Sequence, residues 1–334
     1  MNIAVLLGGI SPERNVSIVG GKAVANALID RGHSVVMLDP SRGTDALVTE
    51  HILNVSASEK VSDSALSVSK RELINSMNCM AFDKVDIVFS VLHGNNGEDG
   101  IMQALLEARG VPYTGSKVLA SALAMDKNAS KVMFSAAGIQ TPAWTLIHPN
   151  DYDNLAHLKE AMEELRGSIV VKPNDQGSTV GLTIVHNDLE AFHQAVLFAG
   201  QFSRSVLVEQ FIEGRELTVA VLGDEALPII EIVPEGGFYD YEHKYTKGKT
   251  SYICPADIPE DVAEFVSNLA ITAHKILGCT AYSRVDFRLD EDNVPFCLEV
   301  NTIPGFSATS LVPMAAAAAG IDFGELCERI IELS

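Results

Sequence analysis

At 334 residues, the chain is too long for one small domain and suits two or three units around a cleft. Hydrophobic residues make up 47% of it, enough for sizeable cores. A formal net charge of −20 argues against a nucleic-acid or anionic-membrane partner, which would need an extended basic surface. An anionic ligand would therefore need basic groups concentrated locally.

The chain goes from Met1-Asn2 directly into an apolar run, Ile3–Leu7, which reads as a strand buried on both faces. It lacks the charged start and long apolar core of a signal peptide, and no apolar run approaches a membrane span. Gly8–Arg14 is a tight loop. Val16–Arg31 has helical spacing with Gly32 as a stop, and Ser34–Leu38 is the next strand, completing a βαβ unit of a parallel sheet. GxGxxG is absent, which argues against a dinucleotide site. Ligands of open parallel sheets bind beyond the carboxyl ends of the strands. Glu13 sits there and could hold a small cationic group, or serve only as a loop carboxylate near a helix start. Ser41 to Lys70 is polar and serine-rich, with no evident chemistry, and is expected to form variable surface structure.

Val85–Leu92 reads as another buried strand, followed by the glycine-bearing loop His93–Gly100 and a helix through Arg109. His93 could contact a ligand or be a satisfied loop histidine. A second unit starts near Ser116, with one helical stretch over Ala120–Ala137. Ile169–Leu182 reads as strand, glycine-bearing loop, strand. Lys172 ends the first of these strands, where its charge is costly unless it meets an anion, and the loop's N–H groups could cradle phosphate. It is not a Walker loop, because the lysine precedes the glycines.

Val206–Val219 reads as strand, turn, strand, with Glu209 and Glu216 bracketing the turn. They could accept from an adenine amino group or ribose hydroxyls, or be solvated acids. Ala226–Val233 is a further strand. The aromatic and basic segment Tyr239–Lys249 reads as a lid or binding loop. Asp261–Leu277 is a helix, and Ser310–Gly320 and Phe323–Leu333 are closing helical stretches. Before these last two come the alternating runs Ser283–Leu289 and Phe296–Asn301. If Asp290–Asn293 closes evenly, Leu289 pairs with Val294 and Arg284 lies opposite Glu299, with Asp286 diagonal to it. Two carboxylates and the Asn301 amide on one face suit Mg²⁺ carrying a phosphate, although an ion-paired surface would look similar. Pro304-Gly305 follows, where a backbone can approach a ligand closely. Lys127, Lys172, Lys244 and Arg284 come from separate segments of this acidic chain. With a metal at Asp286, Glu299 and Asn301, they could neutralise a triphosphate. The five cysteines are scattered and form no CxxC, which points to free thiols in a reducing cytosol.

Several motifs together resemble the D-alanine–D-alanine ligase family of the ATP-grasp superfamily. They are Gly8-Gly-Ile-Ser-Pro-Glu-Arg-Asn-Val-Ser17, Leu92-His-Gly-Asn-Asn-Gly-Glu-Asp-Gly100, Ala124-Met-Asp-Lys127 and Val171-Lys-Pro-Asn-Asp-Gln-Gly-Ser-Thr-Val-Gly181. Further on stand Glu213-Gly-Arg-Glu-Leu-Thr-Val219, Tyr239-Asp-Tyr-Glu-His-Lys-Tyr245, Arg284-Val-Asp-Phe287 and Glu299-Val-Asn-Thr-Ile-Pro-Gly305, running on to Ser310-Leu311. The resemblance covers the chain apart from the serine-rich stretch. It implies an α/β fold: an N-terminal parallel βαβ substrate-binding domain (1–115), then two α+β sub-domains (116–209 and 210–334) sandwiching ATP.

It also implies cytoplasmic ligation of two D-alanines in two steps, through an acylphosphate, for peptidoglycan synthesis, by a homodimer. By resemblance Lys127 and Lys172 hold the α/β-phosphates, Lys244 reaches the γ-phosphate, and Glu209 and Glu216 bind adenine and ribose. Asp286, Glu299 and Asn301 would hold two Mg²⁺ (or Mn²⁺). Glu13 would bind the first D-alanine's ammonium, with Ser178 and Tyr245 over it and His93 near it. Arg284 and the Gly305 N–H would stabilise the oxyanion, and Ser310 and Leu311 would hold the second substrate's carboxylate. The Tyr245 hydroxyl favours an amine acceptor over D-lactate. Gln210 departs from the pattern, since relatives often carry a charged residue there.

Overall fold

The computed structural model describes residues 1–334 except 58, 60, 63, 64, 66, 235–249 and 308. The expected lid, with Lys244 and Tyr245, lies outside the described residues. Three sheets build the described molecule. The first is parallel, ordered β2-β1-β3, from β1 (Asn2–Leu6), β2 (Ser34–Leu38) and β3 (Ile87–Ser90). Ile3 to Leu6 are fully buried, as expected for a strand covered on both faces. The helix Arg14–Asp30 makes the crossover from β1 to β2, and Gly32 adopts φ 87° just after it.

The second sheet is antiparallel, ordered β4-β7-β5-β6, from β4 (Trp144–Ile147), β5 (Ser168–Pro173), β6 (Thr183–His186) and β7 (Val206–Gln210). The helices Leu155–Leu165 and Leu189–Ala199 close its core through Leu158, Phe192 and Val196. The third sheet runs β11-β10-β8-β12-β13, with β9 beside β8. Its strands are β8 (Arg215–Leu222), β9 (Glu225–Ala226), β10 (Ile230–Pro234), β11 (Thr250–Ile253), β12 (Tyr282–Leu289) and β13 (Pro295–Asn301). Alternation makes it two-faced. Leu217, Val219, Val285, Phe287, Cys297 and Val300 enter a core beneath the helix Glu260–Ile276, and the polar residues of β8, β12 and β13 lie on the opposite face.

Three expectations are corrected. The stretch Ala120–Ala137 is two helices, Val118–Met125 and Lys127–Ala136. Asp126 breaks it by turning extended (φ −81°, ψ 100°) and accepting from the Ala129 N–H at 2.9 Å, as an N-cap does. Both helices pack on the third sheet's core through Ala120, Ala124 and Phe134. The strand, turn, strand expected over Val206–Val219 is present, and its turn crosses between sheets: β7 belongs to the second and β8 to the third. Gly214 makes that crossing at φ 130°, where a Cβ would lie 2.1 Å from the Leu289 carbonyl. Ala226–Val233 is interrupted at Pro228 and supplies both β9 and β10, since proline has no N–H for a ladder.

The hairpin register also differs. Asp290 caps a longer turn, its carboxylate accepting from the N–H groups of Asp292 and Val294, so Leu289 pairs with Pro295. A bulge then skips Leu298 and sets Asp286 opposite Glu299 and Arg284 opposite Asn301. Strict alternation would force Cys297 and Glu299 onto one face. The extra residue lets Cys297 and Val300 bury together while Glu299 and Asn301 stay on the polar side.

Candidate active site

The three sheets enclose a cleft of about 370 Å³. The loops after β1 and β3 bring Glu13 and His93 to it, and the second sheet supplies Lys172, Ser178 and Glu209. Glu216, Arg284, Asp286, Glu299 and Asn301 line it from the third sheet, and Lys127 from the helix break. Gly305, Ser310 and Leu311 complete it. Every expected site residue within the described part of the chain therefore meets in one cavity.

The Ser178 hydroxyl donates to Glu13 Oε1. Ser178 and Thr179 hold φ 51° and 62°, left-handed values that non-glycine residues adopt only when surroundings impose them. His93 Nδ1 lies 2.9 Å from the Ile303 carbonyl. A carbonyl only accepts, so Nδ1 carries the proton and Nε2 is an acceptor. That Nε2 is buried and has no hydrogen-bond partner among the described residues. Burial holds the His93 pKa below its ordinary value, which keeps the ring neutral. Glu98, from the same loop, is pushed up to about 8 by desolvation first and by the Glu13 charge second.

Lys127 donates to the Gln176 carbonyl at 2.7 Å and lies 3.0 Å from Glu299 Oε2. Burial pulls its pKa down, but Glu299 outweighs burial and the net direction is upward. Lys172 pairs with Glu209 Oε1, and Lys131 reaches Glu209 Oε2 at 2.9 Å. Burial alone would raise the Glu209 carboxyl, yet the two lysines hold it below the usual range. Glu216 lies 3.6 Å from Arg288, which donates to the Ile212 and Gly214 carbonyls.

On the polar face of the third sheet, Arg284 grips Asp286 with two hydrogen bonds, at 2.9 and 2.7 Å. The Thr218 hydroxyl donates to Asp286 at 2.6 Å and the Asn301 amide at 3.0 Å. Two carboxylates opposite each other in register, with an amide beside them, form a hard oxygen set of the kind Mg²⁺ takes. Both acids are paired with cations, Asp286 with Arg284 and Glu299 with Lys127. A cation bound here would therefore replace part of that pairing, with hard oxygen donors already on one face of the sheet. Beyond Gly305, Ser310 is the N-cap of the helix Leu311–Ala318, and its hydroxyl accepts from the Ser307 N–H at 2.9 Å. A helix start of this kind offers N–H groups to a carboxylate.

Residues 2–116 match the family model described as D-ala D-ala ligase N-terminus, and residues 133–332 match D-ala D-ala ligase C-terminus. The D-alanine–D-alanine ligase of Bordetella petrii is 42% identical over 98% of this chain and 90% of its own length. The one from Nitrosospira multiformis is 42% identical over 99% and 96%. The chain belongs to the D-alanine–D-alanine ligase family. Its fold agrees with that family's ATP-grasp architecture. The Bacillus anthracis D-alanine–D-alanine ligase complexed with ATP superposes with a TM-score of 0.77 at 30% identity, covering 100% of this chain and 97% of that one. A D-Ala:D-Ser ligase from Enterococcus faecalis superposes with the same TM-score at 29% identity, over 99% and 98%.

Four residues around this ligase-family cleft were not singled out from sequence. Glu98 was visible only as part of a glycine-rich loop. Lys131 stands four residues after Lys127 on one helix, a spacing that places both on one face and could have exposed it. Arg288 and Thr218 share the faces of Asp286 and Glu216, which alternation alone could have marked. The serine-rich stretch, expected to be plain surface, also reaches the cleft. Ala57 lines it, and the Asn15 amide donates to the Glu59 carbonyl at 2.9 Å.

Proposed function

We propose that this chain condenses two molecules of D-alanine to D-alanyl-D-alanine at the expense of ATP, in a bacterial cytoplasm and as a homodimer. The carrying observation is the arrangement of one cavity. A carboxylate–hydroxyl pair, Glu13 and Ser178, lines it together with two lysines and an acidic, amide-bearing sheet face.

Phosphoryl transfer needs positioning and charge neutralisation far more than covalent help. Lys127 and Lys172 take the α- and β-phosphates of ATP, and Lys244 takes the γ-phosphate. Asp286, Glu299 and Asn301 would hold two Mg²⁺ (or Mn²⁺), which would supply positive charge to offset that of the phosphates. Glu13, supported by Ser178 and Tyr245, binds the ammonium of the first D-alanine, and the neutral His93 acceptor lies near it. A carboxylate oxygen of that D-alanine attacks the γ-phosphorus and ADP leaves.

The amine of the second D-alanine, its carboxylate held at Ser310 and Leu311, then attacks the acyl carbonyl. Arg284 and the Gly305 N–H face the developing oxyanion; losing one such donor costs about 10²–10³ in rate. Inorganic phosphate leaves with the attacking oxygen. Acylphosphates react with water, so the site has to exclude it while the intermediate stands.

The structural likeness to a D-Ala:D-Ser ligase makes acceptor choice the discriminating experiment. Phosphate release would be measured with D-alanine, D-serine and D-lactate as acceptors across pH. D-alanine should be preferred throughout, and a profile selective for D-serine or D-lactate would refute the acceptor assigned here.

A further inference from the structure

Lys131 is fully buried, yet it belongs to no face of the cleft. Its ammonium donates to Thr141 Oγ1 at 2.7 Å and to the Pro142 carbonyl at 3.1 Å, and lies 2.9 Å from Glu209 Oε2. Two hydrogen bonds and one ion pair thus hold the ammonium, with the Trp144 ring 5.3 Å away. Lys172 is different. It lines the cleft, and Glu209 Oε1 is its sole partner among the described residues. One buried carboxylate thus holds two lysines, of which one is locked in protein and the other faces the cleft.

We infer that Lys131 is a positioning residue: it is the permanent counter-ion of Glu209, and it lets Lys172 exchange Glu209 for a nucleotide phosphate without stranding a buried anion. Removing one partner of a buried pair is strongly unfavourable because the other charge is left uncompensated. With Lys172 alone, each binding event would impose that penalty on Glu209. With Lys131 in place, Glu209 stays ionised and oriented, and can accept from the amino group of an adenine while Lys172 turns to the phosphates. Thr141 and Pro142 fix the ammonium so that it cannot follow. This inference rests on the nucleotide site proposed above and adds a residue to it that the nucleotide does not touch.

The test is direct binding of ADP with Mg²⁺ to the full chain by calorimetry, together with KM and kcat. Lys131→Met should weaken ADP binding and raise KM for ATP by about tenfold or more. KM for D-alanine should stay unchanged, and kcat should change far less than KM for ATP. Thr141→Val, which only loosens the ammonium, should weaken ADP binding severalfold. The double variant Lys131→Met/Glu209→Gln removes both charges, so Lys172 is no longer trapped and ADP affinity should recover part of the loss. If Lys131→Met does not fold, Thr141→Val and the double variant carry the test. Wild-type ADP affinity in Thr141→Val, or weaker binding in the double variant than in Lys131→Met, would overturn the inference. A wild-type chain that binds no ADP would overturn it together with the proposed function. Normal wild-type binding with unaffected variants would overturn the inference alone.

Discussion

Glu98 shows what a single side chain does in this cleft. Its pKa, near 4.5 when solvated, rises to about 8 beside Glu13. The folded protein therefore keeps a proton that the unfolded chain releases. Between those values stability falls as pH rises, on the order of 1 kcal/mol per pH unit. Glu98→Gln should abolish that slope. Melting curves of the two proteins should converge near pH 4 and separate by pH 8, with the variant the more stable; parallel curves would show that Glu98 is not raised. Glu299→Gln acts differently. It removes a proposed metal ligand and the partner of Lys127, so turnover should disappear while circular dichroism stays native. Activity near that of the wild type would remove Glu299 from the metal set. That Lys172 and Asp286 face the cleft was legible in the sequence, Lys172 because charge at the end of an apolar strand needs a reason and Asp286 because alternation sets it on one face with Arg284. Lys131 and Glu98 were not, because nothing local reveals that a charge is enclosed.

At the scale of elements, what matters is where regular structure stops. The break at Asp126 places Lys127 at a helix start, where its N–H donates to the Asn174 carbonyl at 3.0 Å and its ammonium turns into the cleft. A continuous helix, as periodicity alone suggests, would have left it elsewhere. Asp126→Ala should lower stability by about 1 kcal/mol, read by urea denaturation, and raise KM for ATP with it. Strand identity was legible for β1, β2 and both arms of the hairpin. Sheet membership was not, because a turn such as Ile212–Gly214 reads the same whether it closes a hairpin or crosses between sheets. The bulge at Leu298 was equally silent, since the conflict that it resolves, Cys297 against Glu299, appears only once the two faces are known.

At the scale of the molecule, the first and third sheets share a core. Ile3, Val5 and Phe89 belong to one buried cluster with Leu222, Tyr282 and Val312. Phe306 sits among them, with ring centroids 5.6 Å from Phe89, 5.7 Å from Tyr282 and 5.5 Å from Phe323. It directly follows Gly305, so the packing that joins the two sheets also sets the backbone facing the reaction. Phe306→Ala should cost about 3–5 kcal/mol and lower kcat even well below the variant's melting temperature. Retention of full kcat by the folded variant would separate packing from catalysis. Among the described residues no helix is long and apolar enough to cross a membrane.

The central claim is that one carboxylate oxygen of D-alanine is phosphorylated before the peptide bond forms. D-Alanine carrying ¹⁸O in its carboxylate, incubated with ATP and Mg²⁺, tests it most directly. Mass spectrometry should find D-alanyl-D-alanine, ADP, and one ¹⁸O in the released phosphate for each dipeptide made. Dipeptide accompanied by phosphate without ¹⁸O, or no dipeptide at all, would contradict the account.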